Sequence, residues 1–509
     1  MIGVATSEAV ARRYVRERLD ELLYLARDGW RRTGAAIRQL EPAAAQVDIT
    51  ESSVLAQLRA CHAAYGEVAR RLLALGEGAL DPDSDLDALE REREAISEHL
   101  RSQQLVTAAL ITAQDWQSPS FAHSVRAAAG RHAGCIKAGW NDYKRDRHLD
   151  ADAYEASFLG ALVDAPEGLR AVLTSCGMAA FTTILALLHD ERRLTNHVLI
   201  GRGVYHECRQ LLEQGLGRVN VVDESDTGAM LATIERTRPR ALFLDSLSNT
   251  ASAPMPDIRS VIGCLAHRSY GETCLVIDNT GLSLGLQPFS LAGAERVRMI
   301  MFESLLKYAQ LGLDRTNAGI VVARADDAAL LDKWREHLGT NASDVTTLSL
   351  PTPDRWLLTR RLTRLQRNAQ VIAEHLVSAD IPDVDAVVHA SLPNHPACPR
   401  ARALGFCGSC VNIVLRPGSS LRRRQELVIA RAVEEARDVG RPLVAGSSFG
   451  FDVTRIYLAA GTTGSGEPFI RVAAGTEPVH HVEVLADAIA RATSSACSSD
   501  RRRSRGLPR

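Results

Sequence analysis

Apolar residues recur every three or four positions through most of the first 115 residues. In RRYVRERLDELLYLARDGWRRTGAAIRQL they fall on one face of a helix, and Pro42 is expected to end it. ESSVLAQLRACHAAYGEVARRLLAL predicts a second helix, closing near GEG. DPDSDLDALEREREAISEHLRSQQLVTAALI predicts a third, with Asp and Ser at hand as caps. No catalytic motif lies in this stretch, so residues 1–115 read as a helical packing or dimerisation module.

The texture changes near residue 116. Short β-branched runs now alternate with helical patterns: NHVLIGRG, RVNVVDE, ALFLDSLSN, CLVIDNT, VRMIMFES and AGIVVA. Each run is apolar on both faces, as in the strands of a mostly parallel sheet covered on both sides. Residues 116–350 are therefore expected to form a large α/β domain. A long helical pattern opens near 351, then come VDAVVHA, CVNIVLRP, FIRVAAG and a last helix VHHVEVLADAIARATSS. This predicts a smaller α+β domain over 351–495. The polar, basic residues 496–509 are expected to be disordered. In open α/β sheets ligands bind beyond the carboxyl ends of the strands, so Asn249, Asp278 and the stretch from Ser304 to Lys307 draw notice.

Composition narrows the function classes. The formal net charge is −1, which gives no reason to expect a nucleic-acid or anionic-membrane partner. No apolar run reaches the roughly 18 residues of a membrane span. The opening residues turn charged too soon for a signal peptide, so a cytoplasmic location with reduced cysteines is expected. His389, His395, Cys398, Cys407 and Cys410 cluster in the sequence. With a single CxxC running straight into a strand pattern, they read as buried thiols and not as a zinc site.

Only four of the 60 basic residues are lysine, at 137, 144, 307 and 333. Arginine stays protonated, whereas a desolvated lysine can become a neutral nucleophile. Lys307 lies in the apolar segment FESLLKYAQLGLD. Asp278 closes the run CLVIDNT, a costly place for a carboxylate that meets no cation. An amine and an acid at two strand ends can form a plain ion pair. They can also bracket a pyridine ring, the amine as an imine and the acid on the ring nitrogen. Gly177 and Met178, in LTSCGMAAFTTILALLHD, open a helix whose free N–H groups suit a phosphate.

Seven motifs fall in one order: YKR at Tyr143 to Arg145, SCGMAA, DSLSNT with Asn249, DNT, SLLK, the pair Asp314 and Gly319, and RVAAGTE with Arg471. On these the chain, over about residues 130–493, resembles the cysteine/methionine-metabolism family of pyridoxal-phosphate enzymes. That family includes cystathionine γ-synthase, cystathionine lyases, methionine γ-lyase and sulfhydrylases. The resemblance implies a fold-type I large domain with a mostly parallel sheet, a small α+β C-terminal domain and an extra helical N-terminal region. It implies pyridoxal 5'-phosphate on Lys307, which then serves as the base at Cα. Asp278 would sit on the ring nitrogen and Asn249 beside the ring oxygen. Gly177, Met178 and Ser304 would hold the phosphate, and Tyr205 would stack on the ring and relay a proton. Arg471 and Ser448 would hold the substrate. Tyr143 and Arg145 would reach the phosphate from a neighbouring subunit, which implies a homodimer or homotetramer.

The implied reaction is replacement or elimination of a leaving group at Cγ or Cβ of an amino acid, through Cα deprotonation and a vinylglycine-type species. A C–S lyase of cysteine-like thioethers is the alternative within the class. A non-catalytic scaffold is the alternative outside it, and the retained Lys307, Asp278 and Arg471 speak against that. The departures are His206 and Glu207 where the family has two glycines, Leu306 for a threonine and Thr250 for a proline. They bear on substrate and outcome, and they lean the reading towards specialised metabolism.

Overall fold

The computed structural model describes residues 2–46, 53–113, 149–164, 167–195, 197–216, 219–269, 271–418, 420–460 and 468–504. Three long helices come first: α1 (Ile2–Gln46), α2 (Ser53–Gly78) and α3 (Leu86–Thr112). The amphipathic stripe of α1 buries Val15, Leu19, Leu22 and Leu25 against Tyr65 and Leu72 of α2 and Ile96 and Leu100 of α3. Each such side chain contributes about 1.5–3 kcal/mol when fully buried. Contrary to expectation, α1 does not stop at Pro42 but runs on to Gln46. Pro42 lacks the N–H that would bond four residues back, yet so near the helix end this costs a single rung.

After α4 (Leu149–Leu162) the chain builds a seven-stranded sheet. Its strands are β1 (Leu169–Thr174), β2 (Val198–Gly201), β3 (Asn220–Val222), β4 (Ala241–Asp245), β5 (Cys274–Asp278), β6 (Arg298–Ser304) and β7 (Gly319–Arg324). The spatial order is β1-β7-β6-β5-β4-β2-β3. From β3 across to β6 every pairing is parallel, while β7 runs antiparallel to both β6 and β1. All residues of β2 and β4 are buried, as expected of strands with helices on both faces. The sequence pattern omits β1, whose run LRAVLT carries an arginine. That strand lies at a sheet edge, with Leu169 partly exposed and Arg170 exposed.

A second, five-stranded sheet follows: β8 (Val384–Val388), β9 (Cys410–Leu415), β10 (Val444–Ala445), β11 (Arg455–Ala459) and β12 (Phe469–Ala473), ordered β10-β11-β12-β9-β8. The helices Arg355–Ser378, Leu421–Asp438 and Val479–Ser504 close its core. The last helix continues to Ser504, into the segment expected to be disordered. Its serines and arginines are compatible with a helix, and no breaker occurs before Gly506. Among the described residues no helix is long and apolar enough to cross a membrane.

The N-terminal helices share one continuous apolar core with the large sheet, and a buried ion network ties them down further. Arg361 donates to Glu21 of α1 (2.6 Å) and to Asp452 (2.9 Å), Arg364 also donates to Glu21, and Arg18 and Arg93 both reach Glu90. Burial alone would raise the pKa of Asp452, but Arg361, Arg93, Arg18 and Arg101 outweigh it and hold the carboxyl below its ordinary value. A depressed folded pKa stabilises the fold above the unfolded carboxylate value, near about 3.9. This stabilisation is lost as pH falls through the folded value. The melting-temperature gap between the parent and Asp452→Asn is therefore expected to be wide at pH 7 and to narrow below pH ~4. A gap independent of pH, measured by calorimetry, contradicts this.

Candidate active site

Parallel strands place their carboxyl ends along one edge, and β4, β5 and β6 deliver Asp245, Asp278 and Ser304 there. Asp245 is the register partner of Asp278. The turn after β5 fixes the acid: the Thr280 N–H donates to Asp278 Oδ1 (2.9 Å), and Thr280 Oγ1 accepts from the Ser304 N–H (2.9 Å). One short turn beyond β6, Lys307 Nζ donates to Ser448 Oγ (2.6 Å) and lies 5.4 Å from the centre of the Phe449 ring.

Burial lowers the Lys307 pKa, against the pull of Cys410, Asp278 and Asp314, with Arg455 adding to the lowering. The neutral, nucleophilic amine is thus reached at a lower pH than for a free lysine. Burial raises Asp278, opposed by the Thr280 hydrogen bonds and by Lys307. Asp245 is raised further, by burial and then by Asp278 and Glu224, with only the Tyr205 N–H opposing. This acidic end of the cavity favours a ligand that brings positive charge.

At the other side the helix α5 (Gly177–Asp190) begins. Cys176 caps it, its Sγ accepting from the Ala179 N–H (3.3 Å). A Cβ on Gly177 would lie 3.0 Å from Ser304 Cβ, so the absence of a side chain keeps the helix start against that strand end. First-turn N–H groups beside a serine hydroxyl form an anion cradle.

The third wall comes from the second sheet. Arg471 on β12 faces Asn412 on β9 in register, and its Nε donates to Asn412 Oδ1 (2.9 Å). Its Nη1 donates to Asn249 Oδ1. Asn412 Nδ2 in turn donates to the carbonyls of Thr250 and Ala251 (both 3.0 Å), tying the two sheets together. Tyr205 precedes the helix α6 (His206–Leu216). Burial raises its phenol pKa, and so does the neighbouring Glu207 carboxylate.

Lys307, Asp278, Asn249, Gly177, Met178, Ser304, Tyr205, Arg471 and Ser448 all line one cavity of ≈ 390 Å³. Tyr143 and Arg145 lie outside the described residues. Glu207 and His206 are not on the cavity wall. Sequence reasoning missed Asn412, Phe449 and the lining role of His389, Cys407 and Cys410. An asparagine inside the apolar run CVNIVL was the one available signal for Asn412. His389 and His395 are hydrogen-bonded to the carbonyls of Gly408 and Ser252, and the thiols of Cys398, Cys407 and Cys410 are free.

These residues suit pyridoxal phosphate. An amine of lowered pKa meets an aldehyde, a carboxyl short of positive charge meets a ring nitrogen, and a cradle that a Cβ would crowd meets a phosphate. The volume also falls within the roughly 300–1,000 Å³ of small-molecule sites.

Comparison with known proteins agrees. The sequence model of the family described as "Cys/Met metabolism PLP-dependent enzyme" matches residues 100–405, more than half of the chain. The bifunctional enzyme flvA of Aspergillus flavus is 29% identical over 339 residues, covering 65% of this chain. This chain spans only 40% of that relative's length. Cystathionine gamma-synthase of Mycobacterium tuberculosis is 28% identical over 313 residues, 59% of this chain and 73% of the relative. Among solved structures, cystathionine gamma synthase from Xanthomonas oryzae pv. oryzae in complex with cystathionine superposes with TM-score 0.56 at 21% identity, over 71% of this chain and 89% of that one. Apo CalE6, a methionine gamma lyase from Micromonospora echinospora, gives TM-score 0.55 at 23% identity, over 70% and 90%. At these identities the structures speak for a shared fold-type I architecture.

Proposed function

Because the chain belongs to the Cys/Met-metabolism PLP-dependent enzymes, and so takes pyridoxal 5'-phosphate as cofactor, we propose that it replaces or eliminates a leaving group at Cγ of an amino acid. Replacement is the favoured outcome. The observation that carries this reading is the meeting of Lys307, Asp278 and Arg471 in one cavity.

Bound there, the cofactor supplies an electron sink for negative charge developing at Cα. The protein's own groups do the rest. Lys307 Nζ is the attachment atom and, once free, the base that takes the Cα proton and can carry it on towards the leaving group. The Ser448 hydroxyl accepts one N–H of that amine, which aims its lone pair. Asp278 holds a proton on the ring nitrogen through a charge-assisted hydrogen bond. The Asn249 carbonyl accepts from Arg471, so its N–H groups would be left for the ring oxygen. Gly177, Met178 and Ser304 hold the phosphate. Tyr205 would stack on the ring, and Glu207, whose charge raises the phenol's pKa, sets this chain apart from the two-glycine pattern. This is why we place it in specialised metabolism. Tyr143 and Arg145 would complete the phosphate site across an interface, so the working unit is a homo-oligomer.

Arg471 is assigned to the substrate α-carboxylate. Asn412 and Asn249 take two of its N–H groups and fix the guanidinium plane, which leaves the remaining edge for a carboxylate. Lysine cannot reproduce this fork. Arg471→Lys is expected to raise KM roughly tenfold, the loss of one charged hydrogen bond, with a smaller change in kcat. Steady-state kinetics checks this, and an unchanged KM contradicts it.

The reaction itself is tested by incubating the holoenzyme with amino acids bearing ester or thioether groups at Cγ or Cβ, with and without added nucleophiles. Mass spectrometry is expected to find a new substituted amino acid. Keto acid and ammonia alone identify the lyase instead, and no conversion of any candidate sinks the assignment.

A further inference from the structure

Two segments flank Lys307, and the N-terminal helices hold both. The first is the turn that carries the lysine. Arg101 of α3 donates to the Gly312 carbonyl (2.7 Å), and Arg315 donates to Glu98 of α3 (2.8 Å). The second is the loop 446–454, which carries Ser448 and Phe449. Arg361 donates to the Gly450 carbonyl and to Asp452 Oδ1 (both 2.9 Å). Arg93 and Arg101 of α3 lie 3.7 and 3.9 Å from Asp452 Oδ2. The Asp452 carbonyl accepts from the Thr476 N–H (3.0 Å), and the side chain is 10% exposed.

At Ser448 the backbone is held out of its relaxed range. Ser448 has φ +75° and Gly450 φ +91°, and a Cβ on Gly450 would sit 2.6 Å from the Lys307 carbonyl oxygen. A serine in a left-handed conformation persists only where its surroundings impose it. Here the anchor is four residues on, at Asp452.

We propose that Asp452 is a positioning residue for the Lys307–Ser448 pair, and that the arginines α3 brings to it make the N-terminal helices a working part of the active site. The proposal rests on Lys307 being the cofactor lysine. With Asp452 neutral, Arg93, Arg101 and Arg361 repel one another, the loop relaxes, Ser448 Oγ leaves the amine and water reaches it. The other groups around Lys307 – Asp278, Asp314 with its partner Arg455, and Cys410 – keep their places.

The test uses the holoenzymes of Asp452→Asn and of Arg101→Met, a milder change at the rim of the cluster. For Asp452→Asn, kcat is expected to fall about tenfold from the displaced amine, with KM changing less. The pH midpoint of the cofactor's visible absorbance is expected to rise by at least about half a unit as the nitrogen gains water. Arg101→Met should move both in the same direction by a smaller amount. A folded Asp452→Asn enzyme with parental kcat and midpoint overturns the proposal. If that variant does not fold, parental values in Arg101→Met overturn it. Lys307→Ala, run alongside, separates the two levels: retained covalent cofactor there removes the premise, whereas its loss leaves the positioning role to be judged on the other two variants.

Discussion

The Lys307→Ala protein is expected to lose covalent attachment of the cofactor and at least about 10³-fold in turnover. Two functions vanish with one nitrogen, the attachment point and the base at Cα. The surroundings are built for that nitrogen: Ser448 Oγ accepts a hydrogen bond from it at 2.6 Å, Phe449 covers it, and burial lowers its pKa. Among the described residues the one other lysine offers no substitute at this site. Lys333 lies in the helix Ala325–Leu338, away from the cavity wall, and Lys137 and Lys144 fall outside the described residues. The cofactor should still bind non-covalently, because the phosphate cradle and Asp278 are untouched. Gel filtration with absorbance detection, then turnover of the best substrate, checks both halves. Turnover within tenfold of the parent would contradict the assignment of the base.

Asp278→Asn is expected to cost roughly 10²-fold in kcat while the cofactor stays attached. The substitution keeps the shape and the bond from Thr280 can persist, but the amide cannot hold a proton on the ring nitrogen. The nearest rival is Asp245, one strand over and in register. Burial, then Asp278 and Glu224, push its carboxyl pKa well up, whereas Thr280 and Lys307 oppose the rise at Asp278, so Asp278 is the better placed of the pair to carry charge. Asp245→Asn should accordingly have much the smaller effect. If the two effects came out reversed, the ring-nitrogen partner would be Asp245.

Much of this was legible in the sequence, for physical reasons. Where arginine has displaced lysine almost everywhere, a lysine in an apolar turn stands out. Runs apolar on both faces marked the buried parallel strands, and their polar last residues marked the cavity. What stayed hidden depends on contacts between distant segments. Nothing local to Asp452 announces that Arg93 and Arg101, more than 350 residues earlier, will meet it. Asn412 reads as one polar residue in a strand until β12 brings Arg471 opposite. The edge strand β1 carries an arginine, β10 has two residues, and β11 has an arginine at its start; none of them shows the uniform apolar run of the central strands.

The most direct test is borohydride reduction of the holoprotein followed by protease digestion and peptide mapping. A pyridoxyl group on the peptide that contains Lys307, and on no other, is the predicted result. A label on Lys137, Lys144 or Lys333, or no label on a protein shown to contain the cofactor, contradicts it.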